Sequence, residues 1–334
     1  MKTPFTIITL FLMAMFFATP TFADTSENIF YYYPNTNGYQ SVEKHYRDID
    51  ILAPQIYTVD FKLELGTAES EDILKFAKKK RMDVMPLVVQ SGFDKYLMTR
   101  LLDDEEAREQ LIEDLIDEAE DRDFIGWQFD FENINHLDRD RYTEFVEQAY
   151  KAFKKKKLKL SVAVIPRTTP YDKNSTNQDW SSGYNIGELA KVSDFISLMS
   201  YDDPRSLGPV SSMVYIEKML ENTLIDAPAE KLSLGIPMYC WQYELGNPKK
   251  IANVTYEISA ATQEKYKDQG VFSLYFEPFE AEIFGFVKNG IVNYIWCDNQ
   301  KSVKRKLDFA KEKGLRGISA WALGQEDPKM WKHF

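Results

Sequence analysis

Eight short apolar runs recur along the chain, each closed by polar or turn-forming residues and parted from the next by a stretch with helical spacing. They are Ile29 to Tyr33, Ile49 to Val59, Asp83 to Val89, Gly126 to Phe131, Lys159 to Ile165, Phe195 to Met199, Leu232 to Met238 and Gly317 to Trp321. Short buried strands alternating with amphipathic helices are the pattern of βαβ units, whose strands pair in parallel. Eight such units favour an α/β fold closed into a (β/α)8 TIM barrel, with a doubly wound open sheet as the other architecture the alternation allows. With 334 residues, 44% of them apolar, the chain can bury one large core.

The intervening segments fit outer-ring helices. Ser70 to Lys80 opens on a polar cap and presents Ile73, Leu74 and Ala77 along one face. Asp103 to Asp121 is crowded with carboxylates, yet Leu111, Ile112, Leu115, Ile116 and Ala119 recur at helical spacing, so the acids read as a solvated face and not as a metal cluster. About 75 residues separate the seventh and eighth runs, too many for one crossover helix, and a small α+β insertion is expected over about 241–294. The stretch Thr168 to Tyr184, rich in Asn, Ser and Gly and carrying Trp180, reads as a long irregular loop bordering the site.

The amino terminus has Lys2, an apolar run from Phe5 to Phe17 and small residues ending at Ala23, the three-part plan of a secretory signal peptide. The apolar run is shorter than the roughly 20 residues a spanning helix needs. Residues 1–23 are therefore expected to be cleaved, leaving 24–334 as a catalytic barrel that is secreted or periplasmic, with no membrane attachment. Formal net charge is −11, and removal of Lys2 makes it −12, which disfavours nucleic acid as a partner and suits a neutral or cationic polymer. His45, His136 and His333 lack metal-ligand spacing, so neither a metal nor a cofactor is expected. Cys240 and Cys297 could be joined in an oxidising compartment or remain two buried thiols. A monomer is expected.

The fourth run carries the chemistry. In Gly126-Trp127-Gln128-Phe129-Asp130-Phe131-Glu132, the two-residue period of a strand sends Gln128, Asp130 and Glu132 to one face and the three aromatics to the other. Two acids aimed into a barrel cost desolvation that packing does not repay, and they fall at the C-terminal strand end where barrel active sites lie.

This run resembles the fourth-strand motif of glycoside hydrolase family 18, the chitinase-like family, whose pattern is Asp-Gly-x-Asp-x-Asp-x-Glu. Gly126, Asp130 and Glu132 match; Ile125 and Gln128 stand where the family usually has its first two aspartates. Met199-Ser200-Tyr201-Asp202 resembles the sixth-strand Met-x-Tyr-Asp motif, and Gly235-Ile236-Pro237-Met238-Tyr239 the seventh-strand Gly-x-Pro-x-Tyr motif. The ending, from Ile295-Trp296-Cys297-Asp298 to Gly317-Ile318-Ser319-Ala320-Trp321, is similar to the branch containing bacterial spore-cortex and other peptidoglycan-type glucosaminidases.

The resemblance implies cleavage of β-1,4-linked N-acetylglucosamine polymers, chitin or peptidoglycan, with retention and with the substrate's own acetamido oxygen as nucleophile. Glu132 is then the proton donor, Asp130 the acceptor for the acetamido N–H, and Tyr201 a donor to its carbonyl. Gln128 is expected to donate to Asp130 and keep it ionised throughout. Trp321 is expected as the pocket floor, with Met199, Asp202, Tyr31, Tyr33, Tyr239, Trp241 and Trp296 as further substrate-binding candidates. A carbohydrate-binding protein that has lost catalysis is the alternative suggested by Ile125 and Gln128, and N-linked glycans are a third substrate class.

Overall fold

The period-two pattern resolves into two faces of one closed sheet. A computed structural model describes residues 26–334 apart from 69, 173–178, 204–206 and 270–271; the expected signal peptide lies outside the described residues. Barrel strands run Ile29–Tyr32, Ile51–Val59, Asp83–Val84 with Leu87–Gln90, Gly126–Phe129, Lys159–Val164, Phe195–Leu198, Leu232–Pro237 and Gly317–Trp321. They pair in parallel in sequence order, and the first strand bonds both the second (Ile29 opposite Ile51) and the eighth (Ile29 opposite Ser319), which closes the barrel. The open-sheet alternative is thereby excluded. The third strand is split at Pro86, which has no N–H to give the ladder.

Outward-facing Trp127, Phe129 and Phe131 are buried under the surrounding helices with Phe145 and Phe153 of the helix Arg139–Lys155. Inside, Ile29, Ile51, Met85 and Phe195 form an apolar plug. Above it lies a polar layer: Gln128 Nε2 donates to the hydroxyls of Ser161 and Ser197, both at 2.8 Å, and Ser319 bridges Ser197 at 2.9 Å and Ser233 at 2.7 Å. These small hydroxyls satisfy one another and leave the volume above them open.

Of the helices, Glu71–Lys80 follows the expected face, with Ile73 and Ala77 buried. The acid-rich stretch is the helix Glu105–Arg122, set off from the preceding helix Lys95–Asp103 because the Asp104 carboxylate accepts from the N–H of Ala107 and caps a new start. Leu111, Ile112, Leu115 and Ala119 are its buried stripe. Among the described residues no helix is long and apolar enough to cross a membrane.

Between the seventh and eighth barrel strands the chain builds a five-stranded antiparallel sheet, in spatial order Ala252–Thr255, Tyr239–Glu244, Ile291–Cys297, Ala281–Lys288, Ser273–Phe276, with the helix Tyr256–Tyr266 against it. Cys240 and Cys297 are register partners in this sheet, 4.4 Å apart at Cα, and form a disulfide at its base. Next to it, fully buried Asp298 pairs with Lys306 of the helix Gln300–Glu312, tying the sheet to the barrel wall.

Candidate active site

At the C-terminal mouth of the barrel is a cavity of about 700 Å³ lined by Tyr31, Asp130, Glu132, Met199, Tyr201, Asp202 and Trp321. The acids and Tyr201 come from motifs on strands four and six, and their placement follows from how those strands end. The fourth strand keeps its ladder one residue past Phe129, since the Asp130 N–H donates to Val88 O at 3.0 Å. Beyond it, the side-chain amide of Gln90 takes both backbone groups of Glu132, donating to its carbonyl at 2.5 Å and accepting from its N–H at 3.2 Å. Tyr184 donates to Phe131 O at 2.8 Å. Asn133 then turns the chain away in the left-handed region, at φ 52°.

Tyr201 reaches the cavity because the chain after Leu198 folds over Gly235. A Cβ there would lie 2.2 Å from Leu198 O and 2.9 Å from the Tyr201 ring, so position 235 admits no side chain. Asp202, at φ 57°, turns its carboxylate to accept from the Tyr239 hydroxyl at 2.6 Å. The Lys250 ammonium stands 4.0 Å from the same oxygen and 4.4 Å above the Trp241 ring. Trp321 tilts against Tyr31 with ring centroids 5.4 Å apart, and its peptide bond to Ala322 is cis.

The electrostatics raise all three acids. Burial raises the Asp130 carboxyl above the ordinary carboxylate range. Burial also raises Glu132, and the charges of Asp130 and then Asp202 push it the same way. Asp202 itself is raised by burial against the opposing pull of Tyr239 and Lys250. The Tyr201 hydroxyl, raised well above its usual value by burial, is a hydrogen-bond donor at any working pH.

The other candidates fall elsewhere. Gln128 lies below the cavity in the serine layer; its Nε2 is spent on Ser161 and Ser197, and Asp130 Oδ1 has no hydrogen-bond partner. The expected bond from Gln128 to Asp130 is therefore absent, and with it the support for an Asp130 that stays ionised throughout. Tyr239 stands behind Asp202 as its hydrogen-bond donor. Trp241 and Trp296 are register partners on adjacent strands of the inserted sheet and are buried with Tyr243 and Ala281 in a cluster against which Tyr201 and Trp321 pack. Tyr33 is half exposed just past the first strand and does not line the cavity.

Residues that carried no motif also line the mouth. Trp180 lines it with its ring 6.3 Å from that of Phe93, and nearby Arg167 pairs with Asp179 at 3.1 Å. The irregular composition of Thr168 to Tyr184 was the only signal for them. Gln90 ends an apolar run, where nothing in the sequence distinguishes it from a solvated strand end.

Comparison with known proteins settles the family. The family model described as Glycosyl hydrolases family 18 matches residues 25–326. The chain belongs to glycosyl hydrolases family 18. It is 26% identical over 308 residues to the glycosylase YvbX of Bacillus subtilis, covering 89% of this chain and 87% of YvbX. A second relative, the cortical fragment-lytic enzyme of the same organism, is 27% identical over 260 residues; the match covers 75% of this chain and 58% of that enzyme. In fold, the chain is similar to a chitinase from Chromobacterium violaceum, at TM-score 0.82 and 23% identity over 92% of this chain and 97% of that one. It is also similar to the spore cortex-lytic enzyme SleL of Bacillus megaterium, at TM-score 0.83 and 20% identity over 92% and 73%. A family 18 barrel with its carboxylates at the mouth is a glycosidase.

Proposed function

We propose that the protein is an exported hydrolase of β-1,4-linked N-acetylglucosamine polymers, acting on the glycan strands of peptidoglycan, by substrate-assisted catalysis with retention. The observation that carries this reading is the grouping of Glu132, Asp130 and Tyr201 at one cavity. Glu132, held protonated by burial and by neighbouring acids, donates its proton to the leaving glycosidic oxygen. The acetamido oxygen of the same sugar attacks the anomeric carbon and forms an oxazolinium ring, so no carboxylate nucleophile is needed. Asp130, as a carboxylate, accepts the acetamido N–H, and its charge offsets the positive charge that develops beside it. Tyr201 donates to the acetamido carbonyl and fixes its line of attack. Glu132, now a carboxylate, takes a proton from the water that opens the ring.

Trp321 and Tyr31 offer aromatic surface to the sugar at this position. The peptidoglycan substrate is supported by the likeness to cortical fragment-lytic enzymes, though the chain spans little more than half the length of the one described above. Export is supported by the amino-terminal apolar run and by the Cys240–Cys297 disulfide, a bond that persists in oxidising compartments.

The test is product analysis on purified peptidoglycan and on chitin side by side, with wild type and Glu132→Gln. Reducing-end N-acetylglucosamine released from peptidoglycan, first as the β-anomer by NMR and absent with Glu132→Gln, is the expected result. Release of the α-anomer overturns the retaining mechanism. Turnover of chitin alone overturns the substrate, and tight binding with no wild-type turnover of either polymer identifies a lectin.

A further inference from the structure

The parallel ladder between the third and fourth barrel strands stops before it reaches the proton donor. Leu87 stands opposite Gln128 and Val88 opposite Phe129, and the last rung is the Asp130 N–H on Val88 O. Past that point the two chains part. The third strand enters the short turn Ser91–Phe93, and the fourth swings away at Asn133. Among the described residues no backbone group pairs with Glu132, although its N–H and carbonyl sit at a barrel mouth where unpaired polar groups are costly.

Gln90 supplies the missing rung from a side chain. It is 1% exposed, and its planar amide presents a donor and an acceptor side by side, the same pair that a strand neighbour would offer. Both are used on one residue, Glu132, at its carbonyl and its N–H. A single contact would leave the peptide free to pivot; two fix the plane of the backbone on each side of the Glu132 Cα, and thus the direction in which the side chain leaves it. On the far side, Asn133 Nδ2 donates to Phe93 O at 3.2 Å and limits movement of the next residue.

We infer that Gln90 is a positioning residue for catalysis: it aims the Glu132 carboxyl at the leaving oxygen by standing in for a backbone strand. The inference rests on the reading of Glu132 as proton donor. Proton transfer requires a heavy-atom separation of about 2.6–3.2 Å, and a displacement of about 1 Å costs on the order of 100-fold in rate. Substrate binding is spread over the rest of the cavity and does not depend on this rung.

The experiment measures kcat and KM on chromogenic N-acetylglucosamine oligomers for wild type, Gln90→Met, Gln90→Glu and Glu132→Gln, with melting curves for each. Gln90→Met keeps the length of the side chain and removes both bonds; kcat falls roughly 30- to 100-fold while KM stays within about twofold. Gln90→Glu is the self-rescuing variant. Its protonated carboxyl again offers a donor and an acceptor, while its carboxylate repels the Glu132 carbonyl, so its kcat relative to wild type climbs at least about fivefold from pH 8 to pH 5. A role confined to holding the fold together predicts losses that track the melting temperature and a flat ratio across pH. Either that flat ratio or a Gln90→Met kcat within about threefold of wild type overturns the inference, and Gln90→Glu alone decides it should Gln90→Met fail to fold. Wild-type turnover by Glu132→Gln would remove the proton donor and this inference together, whereas a dead Glu132→Gln beside an unimpaired Gln90→Met removes only the inference.

Discussion

Replacing Glu132 with glutamine should make the protein less active and more stable, by amounts that both follow from its surroundings. The carboxyl lies in a half-closed cavity beside Asp130 and Asp202, and burial followed by those two charges holds its pKa above the usual range. It is therefore protonated in the resting enzyme near neutrality, as a general acid must be. General acid–base catalysis contributes about 10²- to 10⁴-fold, and because this one group serves in both steps the upper figure applies. The expected loss in kcat is about 10⁴-fold, roughly 5.4 kcal/mol of barrier. KM should change little, since the amide keeps the shape of the carboxyl.

Stability runs the other way. A carboxyl whose folded pKa is raised binds its proton more tightly in the native state than in the unfolded chain. Native stability is unaffected below the unfolded pKa and falls as pH rises from there to the folded pKa. The slope for one group is at most about 1.4 kcal/mol per pH unit, reduced here by solvent in the open side of the cavity. The amide of the Glu132→Gln variant does not titrate, so the variant escapes that loss. Melting temperatures taken from pH 4 to pH 8 should therefore show the variant level with wild type at the acid end and increasingly above it toward the alkaline end. A gap that narrows with pH, or a variant with more than about a hundredth of wild-type kcat, would refute the assignment of Glu132 as a partly buried, protonated acid.

Three other outcomes follow from the same geometry. Tyr201→Phe removes one hydroxyl aimed at the acetamido group and should lower kcat about 100-fold with little change in KM; steady-state kinetics on N-acetylglucosamine oligomers checks it, and a loss seen in KM alone contradicts it. Gln128→Asp introduces another buried carboxyl beneath Asp130, so the pH–rate profile should change shape; a profile superimposable on wild type shows that position 128 takes no part in the proton inventory. Cys240→Ser opens a cross-link over 57 residues, and the chain-entropy relation puts the loss at about 4 kcal/mol; denaturant melts of the variant, matched by wild type in dithiothreitol, measure it, and a midpoint unchanged in both shows that the inserted sheet is held by its packing alone.

The barrel was legible because its signal is local. Each strand is a short apolar run, each helix carries its stripe within one window, and period two on Gly126 to Glu132 decides which side chains face inward. The carboxylates, Tyr201 and Trp321 were placed by the same rule combined with motif resemblance. The errors arose where a side chain's fate depends on residues far away in sequence. Trp241 and Trp296 are aromatic and close to strand ends, which describes a sugar platform and a core residue equally well; only the pairing of the inserted strands puts them side by side in a buried cluster. Tyr33 failed for a simpler reason, since the first strand ends at Tyr32 and the next residue turns out past the rim.

Gln128 shows most clearly why local reading stops short of the chemistry. One strand places it two residues from Asp130 on the same face, and an amide beside a carboxylate invites a hydrogen bond between them. The amide's choice was made instead by Ser161 and Ser197, which reach it from the fifth and sixth strands and belong to a hydroxyl chain continuing through Ser319 to Ser233. An aspartate at 128 would have put a third acid on this face of a closed barrel; glutamine avoids that charge, but with its N–H groups spent it cannot stabilise the charge on Asp130. Asp130 then has no protein donor for its buried Oδ1, so its charge is poorly held until a substrate N–H arrives to be accepted. On this account the substrate itself completes the site: the acetamido group that supplies the nucleophile also supplies the hydrogen bond that the charge on Asp130 lacks, and a sugar lacking the group leaves both jobs undone.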